Sequence, residues 1–145
     1  MIVTTLEGYA VKALIYIARK ESKMATIKEI STDNKISFPY ILRICSSLRK
    51  QGVLKSTKGR KGGYTLERDP KTISLYEIIN AVGRTSIEIK CDFGMRTNLF
   101  CYQKTCISLD AWEYVLEQTN ELYRKIKLSD LIERSNYENS ANTGC

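Results

Sequence analysis

Residues 26–66, "TIKEISTDNKISFPYILRICSSLRKQGVLKSTKGRKGGYTL", leave the chain few ways to fold. Thr26 and Glu29 have the spacing of a capping box, in which each side chain takes up a backbone N–H that the first helical turn leaves free. The helix they start ends near Asn34, and "NKIS" is a tight turn. Ser37 is placed to cap a second helix, with Pro39 in the first turn where a missing N–H costs nothing. That helix reaches about Lys50 and stops at Gly52, a residue that adopts the left-handed cap conformation without strain. Two short helices joined by a three-residue turn read as a helix-turn-helix.

The second helix has two faces. Ile41, Ile44, Cys45 and Leu48 form an apolar side, and Pro39, Tyr40, Arg43, Ser46, Ser47 and Lys50 form a polar, basic one. An ordinary surface helix can look the same, and the neighbouring segment separates the two cases. "VLKST" and "GYTL" are two β-prone runs joined by "KGRKG", the pattern of a hairpin. A hairpin directly after a helix-turn-helix is a wing. Lys55, Lys58, Arg60 and Lys61 supply charge for phosphates, and Gly59, Gly62 and Gly63 let the backbone approach a duplex closely. An arginine at such a tip also suits a narrow minor groove. The candidate DNA contacts are therefore Thr26, Ser37, Phe38, Tyr40, Arg43 and Lys50 on the helices, and Lys58, Arg60, Lys61 and Gly62 on the wing.

Charge agrees with this placement. Residues 1–70 hold 14 Lys and Arg against 6 Asp and Glu, whereas residues 71–145 hold 9 against 10. The whole excess of the net +7 lies in the half that carries the wing, as expected of a nucleic-acid-binding head. The chain has no histidine, which removes the usual general base and excludes Ser-His and Cys-His hydrolases. No nucleotide loop or paired acid site suggests an enzyme of another kind. No apolar run is long enough to span a bilayer, and the N-terminal helix has no basic leader, so a cytoplasmic protein without membrane contact is expected.

Outside the helix-turn-helix, residues 5–20 read as a helix apolar nearly all round, and such a helix is buried on more than one side. "SLYE" at 74–77 opens a helix that Gly83 closes. Residues 84–107 lack periodicity. A long helix then runs from Ser108 to about Lys125, with Leu109, Trp112, Leu116, Thr119, Tyr123 and Ile126 at alternating spacings of three and four, the stripe of a coiled-coil seam, widened by Val115 and Leu122. This helix is the expected dimer interface. A short final helix capped by Ser129 and a disordered tail over 134–145 complete the reading. The fold class expected is mainly α with a small β-hairpin wing. Its parts are a winged helix-turn-helix domain at 1–83, a cysteine-bearing loop at 84–107, and a dimerisation helix plus short final helix at 108–133.

The five cysteines are Cys45, Cys91, Cys101, Cys106 and Cys145, an odd number that argues against a disulfide framework. Cys45 reads as a buried filler and Cys145 as a tail thiol. Nine residues separate Cys91 from Cys101 and four separate Cys101 from Cys106. Structural zinc favours close pairs and four protein ligands, so only the second gap suits it. Thiolates also suit iron–sulfur clusters. From the residues alone, zinc, a cluster and thiol redox chemistry all stay open.

The segments "EGYAVKALIYIA", "PYILRICSSLRKQGVLKSTKGRKGGYTL" and "ISLYEIINAVG" resemble the Rrf-two family of bacterial winged helix-turn-helix regulators over residues 1 to about 133, and the wing motif "KGRKGGYTLERDP" is the most specific part. The cysteine loop followed by "ISLDAWEYV" resembles the cluster-binding members. The resemblance implies a homodimeric repressor on a palindromic double-stranded operator. Ser37, Tyr40 and Arg43 fall on its recognition helix, and Arg60 and Gly62 on its wing. It also implies an iron–sulfur cluster of two or four irons held by Cys91, Cys101 and Cys106, which would sense nitric oxide, redox state or iron. Some members complete the set with histidine, absent here. Others use an acid of the partner's first helix just before the motif's tyrosine. Gly8 holds that position, so Glu7 is the leading fourth ligand, from the partner subunit, ahead of Asp92, Glu88 and Cys145. A cluster-free regulator controlled by thiol oxidation or a protein partner is the alternative.

Overall fold

The computed structural model describes residues 5–60, 62–83 and 107–141. The element order is α1 (Thr5–Arg19), β1 (Met24–Ala25), α2 (Ile27–Asn34), α3 (Phe38–Lys50), β2 (Leu54–Thr57), β3 (Gly63–Leu66), α4 (Leu75–Val82), α5 (Ile107–Lys125) and α6 (Leu128–Ala141). This is the mainly α, winged architecture that the sequence patterns predict. Both capping boxes form, Thr26 with Glu29 and Ser74 with Glu77. Lys35 takes the left-handed conformation that turns α2 into α3, and Gly52, at φ 68°, turns α3 into β2.

Four local expectations are corrected. Ser37 holds the N-cap position of α3 but makes no side-chain capping bond; its carbonyl accepts from the N–H groups of Tyr40 and Ile41 instead. The wing is more than a hairpin. β1 adds to β3, giving a three-stranded antiparallel sheet of order β1-β3-β2, with Ala25 opposite Tyr64 and Ser56 opposite Tyr64 from the other side. A two-residue strand has no periodicity to read, and only the arrival of β3 makes it one. The last helix starts at Leu128 rather than at a Ser129 cap, with the Asp130 carboxylate accepting from Lys127 N–H. It also continues to Ala141, through residues expected in a disordered tail.

The core gathers around α1. Ala10, Ala13, Leu14 and Ile17 of α1 pack with Ile30, Ile41, Ile44, Leu48, Val53, Leu54, Ile73 and Ile78. Each fully buried Leu or Ile contributes about 1.5–3 kcal/mol relative to exposure. The same core takes Leu128 of α6, whose N–H donates to Ile73 O, while Leu75 N–H donates to Ile126 O. The winged head is thus completed by a residue from beyond the long helix. The second side of α1 is also occupied within the chain: Ile132 of α6 packs on the core and Arg19 donates to Asn136.

A row of polar bonds ties α1 to α2. Lys12 Nζ donates to Asn34 O (3.3 Å), Tyr16 OH donates to the Asp33 carboxylate, and Lys20 Nζ pairs with Glu29 (2.5 Å). Positions 12, 16 and 20 lie at intervals of four, so one stripe of α1, continued by the residue that follows it, grips α2 along its length. The bond from Lys20, together with those from Thr26, lowers the Glu29 carboxyl to about 2. The bond to Asp33 raises the Tyr16 phenol to about 12.

Candidate nucleic-acid interface and cysteine loop

α3 presents its polar side to solvent. Ser37, Phe38, Tyr40, Arg43 and Lys50 are all exposed, while Ile41, Ile44, Cys45 and Leu48 are buried. Thr26 is exposed at the start of α2, its hydroxyl engaged with Glu29 in the capping box. Lys58 and Arg60 are exposed on the wing, and Gly62 is half-buried beside them. Lys61 lies outside the described residues. Gly62 has to be glycine, because an added Cβ would sit 2.2 Å from the Thr57 carbonyl across the hairpin. Arg60 and Gly62 also line a groove with Lys20, Ser22, Met24, Ala25, Thr26 and Glu29, so the wing tip and the start of α2 share one surface. The structure therefore collects the α2, α3 and wing candidates on the basic head.

Two residues that the sequence patterns did not assign to this surface position it. Tyr9 of α1 meets Tyr40 edge to face. Arg68, just past β3, donates to Gly52 O at the end of α3 (3.2 Å) and pairs with Glu77 of α4 (2.7 Å). Burial pushes the Glu77 carboxyl up, but bonds from the Ser74 N–H, Arg68 and the Ser74 hydroxyl outweigh it and hold the group below its ordinary value. Arg68 stands inside the recognisable wing motif, yet a long-range ion pair leaves no periodic trace in sequence.

The long helix α5 divides its apolar residues. Leu116, Thr119, Tyr123 and Ile126 are half-buried within the chain, and Arg124 lies 4.5 Å over the Tyr76 ring of α4. Trp112, Val115 and Leu122 are exposed. The predicted seam is thus only partly free: much of it faces the chain's own body, and the exposed strip is rotated towards Val115 and Leu122. The surroundings of the Leu109 side chain lie outside the described residues.

Cys91, Cys101 and Cys106, with Asp92, Glu88 and Cys145, also lie outside the described residues. Among the described residues, no group of three or more His, Cys, Asp or Glu could hold a metal ion. Glu7, however, is placed where the loop begins. A Cβ added at Gly83, the cap of α4, would lie 2.8 Å from Glu7 Oε1 of the same chain. A carboxylate is a side chain that can ligate a metal ion. Cys45 does not join such chemistry: burial in the core pushes its thiol up to about 12, which keeps it an inert filler.

A helix-turn-helix, a basic wing and an α-helical body define a winged-helix regulator of transcription. The family model for Rrf2, the iron-dependent transcriptional regulators, matches residues 3–134, and the chain belongs to this family. It is 28% identical over 132 residues to a candidate HTH-type transcriptional regulator of Aquifex aeolicus, covering 91% of this chain and 92% of that one. The solved structure of IscR from T. potens is 26% identical with a TM-score of 0.70, covering all of this chain and 93% of that one. CymR, the global cysteine regulator of B. subtilis, shares the fold at 23% identity and a TM-score of 0.71, over 92% of this chain and 98% of that one. These relatives are regulators rather than enzymes. Among the described residues, no helix is long and apolar enough to cross a membrane.

Proposed function

We propose that the protein is a cytoplasmic, homodimeric repressor that binds a palindromic DNA site and whose affinity is set by ligation of an iron–sulfur cluster. The observation that carries this reading is the match of residues 3–134 to the iron-dependent Rrf2 regulators, a span that includes Cys91, Cys101 and Cys106. Those three thiolates with Glu7 would hold the cluster. The family resemblance assigns Glu7 from the partner subunit. When bound, the cluster supplies iron that reacts with nitric oxide or oxidant and is lost on iron shortage.

The protein's part is mechanical. Ligation by the three thiolates would tie residues 88–107 together and so would set how α5 sits against α4 and the head. Release would shift the spacing or tilt of the two recognition helices. Such gating requires the ligated and free chains to differ in DNA affinity, and a coupling of about 1–3 kcal/mol corresponds to roughly 5- to 150-fold. On DNA, α3 would enter the major groove with Ser37, Phe38, Tyr40 and Arg43 foremost. Thr26, Lys50, Lys58, Arg60, Lys61 and Gly62 would meet the phosphate backbone and adjacent minor groove. Dimerisation would use Leu109, Trp112, Leu116, Thr119, Tyr123 and Ile126, with the exposed Val115 and Leu122 at its centre.

The deciding experiment is anaerobic reconstitution followed by iron, sulfide and absorption analysis. The expected product is coloured, with thiolate-to-iron charge-transfer bands that Cys101→Ala abolishes. A colourless, iron-free protein rejects the cluster. The second reading is a cluster-free regulator answering to thiol oxidation or a protein partner, favoured by the fold shared with CymR. Its mark is DNA binding indifferent to iron but altered by peroxide.

A further inference from the structure

Phe38 and Leu42 stand exposed on the leading half of α3, at 49% and 46% of their full surface. They are one helical turn apart and so are neighbours on one flank. Beside them run Pro39, Arg43, Ser46 and Lys50, and Arg49 follows on their own flank. Two adjacent large apolar side chains in water, framed by Arg43 and Arg49, cannot hydrogen-bond a base edge. The charged frame suits a polyanion rather than an apolar protein partner. In the major groove the one apolar feature of a base pair is the C5 methyl group of thymine.

We infer that Phe38 and Leu42 determine sequence specificity by packing on thymine methyl groups, so that each half-site carries thymine where this flank of α3 meets the groove. The inference rests on the DNA-binding reading proposed above. It adds that part of the readout is hydrophobic, with Arg43 supplying the polar part. It also separates Leu42 from the phosphate contacts, because Leu42 contributes nothing to charge.

The test uses the full-length protein, purified anaerobically and also after cluster removal, on duplexes selected from a randomised pool. Each thymine of a selected duplex is then replaced by deoxyuridine, which lacks only the methyl. At one or more positions per half-site the replacement should weaken binding about fourfold, the worth of one buried methyl-sized group. At those positions Leu42→Ala or Phe38→Ala should bind thymine and uracil duplexes alike, with an unchanged salt dependence. Both residues are exposed, so neither truncation removes core packing. The inference fails if every replacement is neutral for the unaltered protein, or if the preference for thymine survives in both variants. A protein that retains no duplex in either form overturns the DNA-binding reading itself, and this inference with it.

Discussion

Tyr9 of α1 and Tyr40 of α3 meet edge to face, with ring centroids 6.2 Å apart and ring planes at 88°. Tyr9 lies two residues after Glu7, whose carboxylate sits beside Gly83 at the end of α4. The first turns of α1 therefore touch both the end of α4 and the exposed face of the recognition helix. This is a continuous physical contact between the two regions, and contact becomes coupling only if both ends shift one equilibrium.

Tyr9→Leu removes the aromatic edge from Tyr40 and keeps apolar volume. It should lower stability by about 0.5–1.5 kcal/mol and weaken DNA binding, whereas Tyr9→Phe keeps the ring and should stay near the parent. Denaturant unfolding and DNA titration of the two variants check this, and equal losses in both would mean that the hydroxyl, not the ring, matters.

Arg60→Ala removes a wing cation that stands exposed beside Lys58. Binding should weaken across all duplexes, and the slope of log affinity against log salt should fall by about one. Titrations at several salt concentrations measure it; an unchanged slope places the wing away from phosphate.

Leu122 is 55% exposed on α5. Leu122→Asp should therefore split the proposed dimer while leaving the fold intact. Leu116→Asp alters a half-buried site and should lower stability as well. Light scattering gives the oligomeric state and thermal unfolding the stability. A Leu122→Asp protein that stays dimeric moves the interface off this strip.

The α1–α2 bonds predict two pH edges. Glu29 is held at about 2, below its ordinary 4.5, so its contribution is present above pH 4.5 and is lost as pH falls towards 2. Tyr16 is held at about 12, above its ordinary 10.0, so its contribution is present below pH 10 and is lost as pH rises towards 12. Both groups are near the surface, so each effect is modest. Glu29→Gln should flatten the acid edge of the melting temperature, and Tyr16→Phe the alkaline edge; retention of either edge in its variant refutes the assignment.

Much of the fold was legible because it is local. Both capping boxes, the turn at Lys35, the stop at Gly52 and the glycine-bounded hairpin depend on residues a few positions apart, and helical periodicity named Ile41, Ile44, Cys45 and Leu48 as the buried side of α3. Charge counting placed the basic head without any geometry. The exposed candidates Ser37, Phe38, Tyr40, Arg43, Lys58 and Arg60 came from the same patterns.

The tertiary structure decided what depends on distant partners. β1 becomes a strand only because β3 arrives beside it, and Leu128 becomes core only because α6 folds back under Ile73. The stripe on α5 looked uniform in sequence, since apolar spacing records which residues avoid water and not which neighbour covers them. The meetings of Arg68 with Gly52 and Glu77, of Tyr9 with Tyr40, and of Glu7 with Gly83 have the same origin. A side chain's chemistry is written in the chain, but its partner is chosen by packing across long sequence separations.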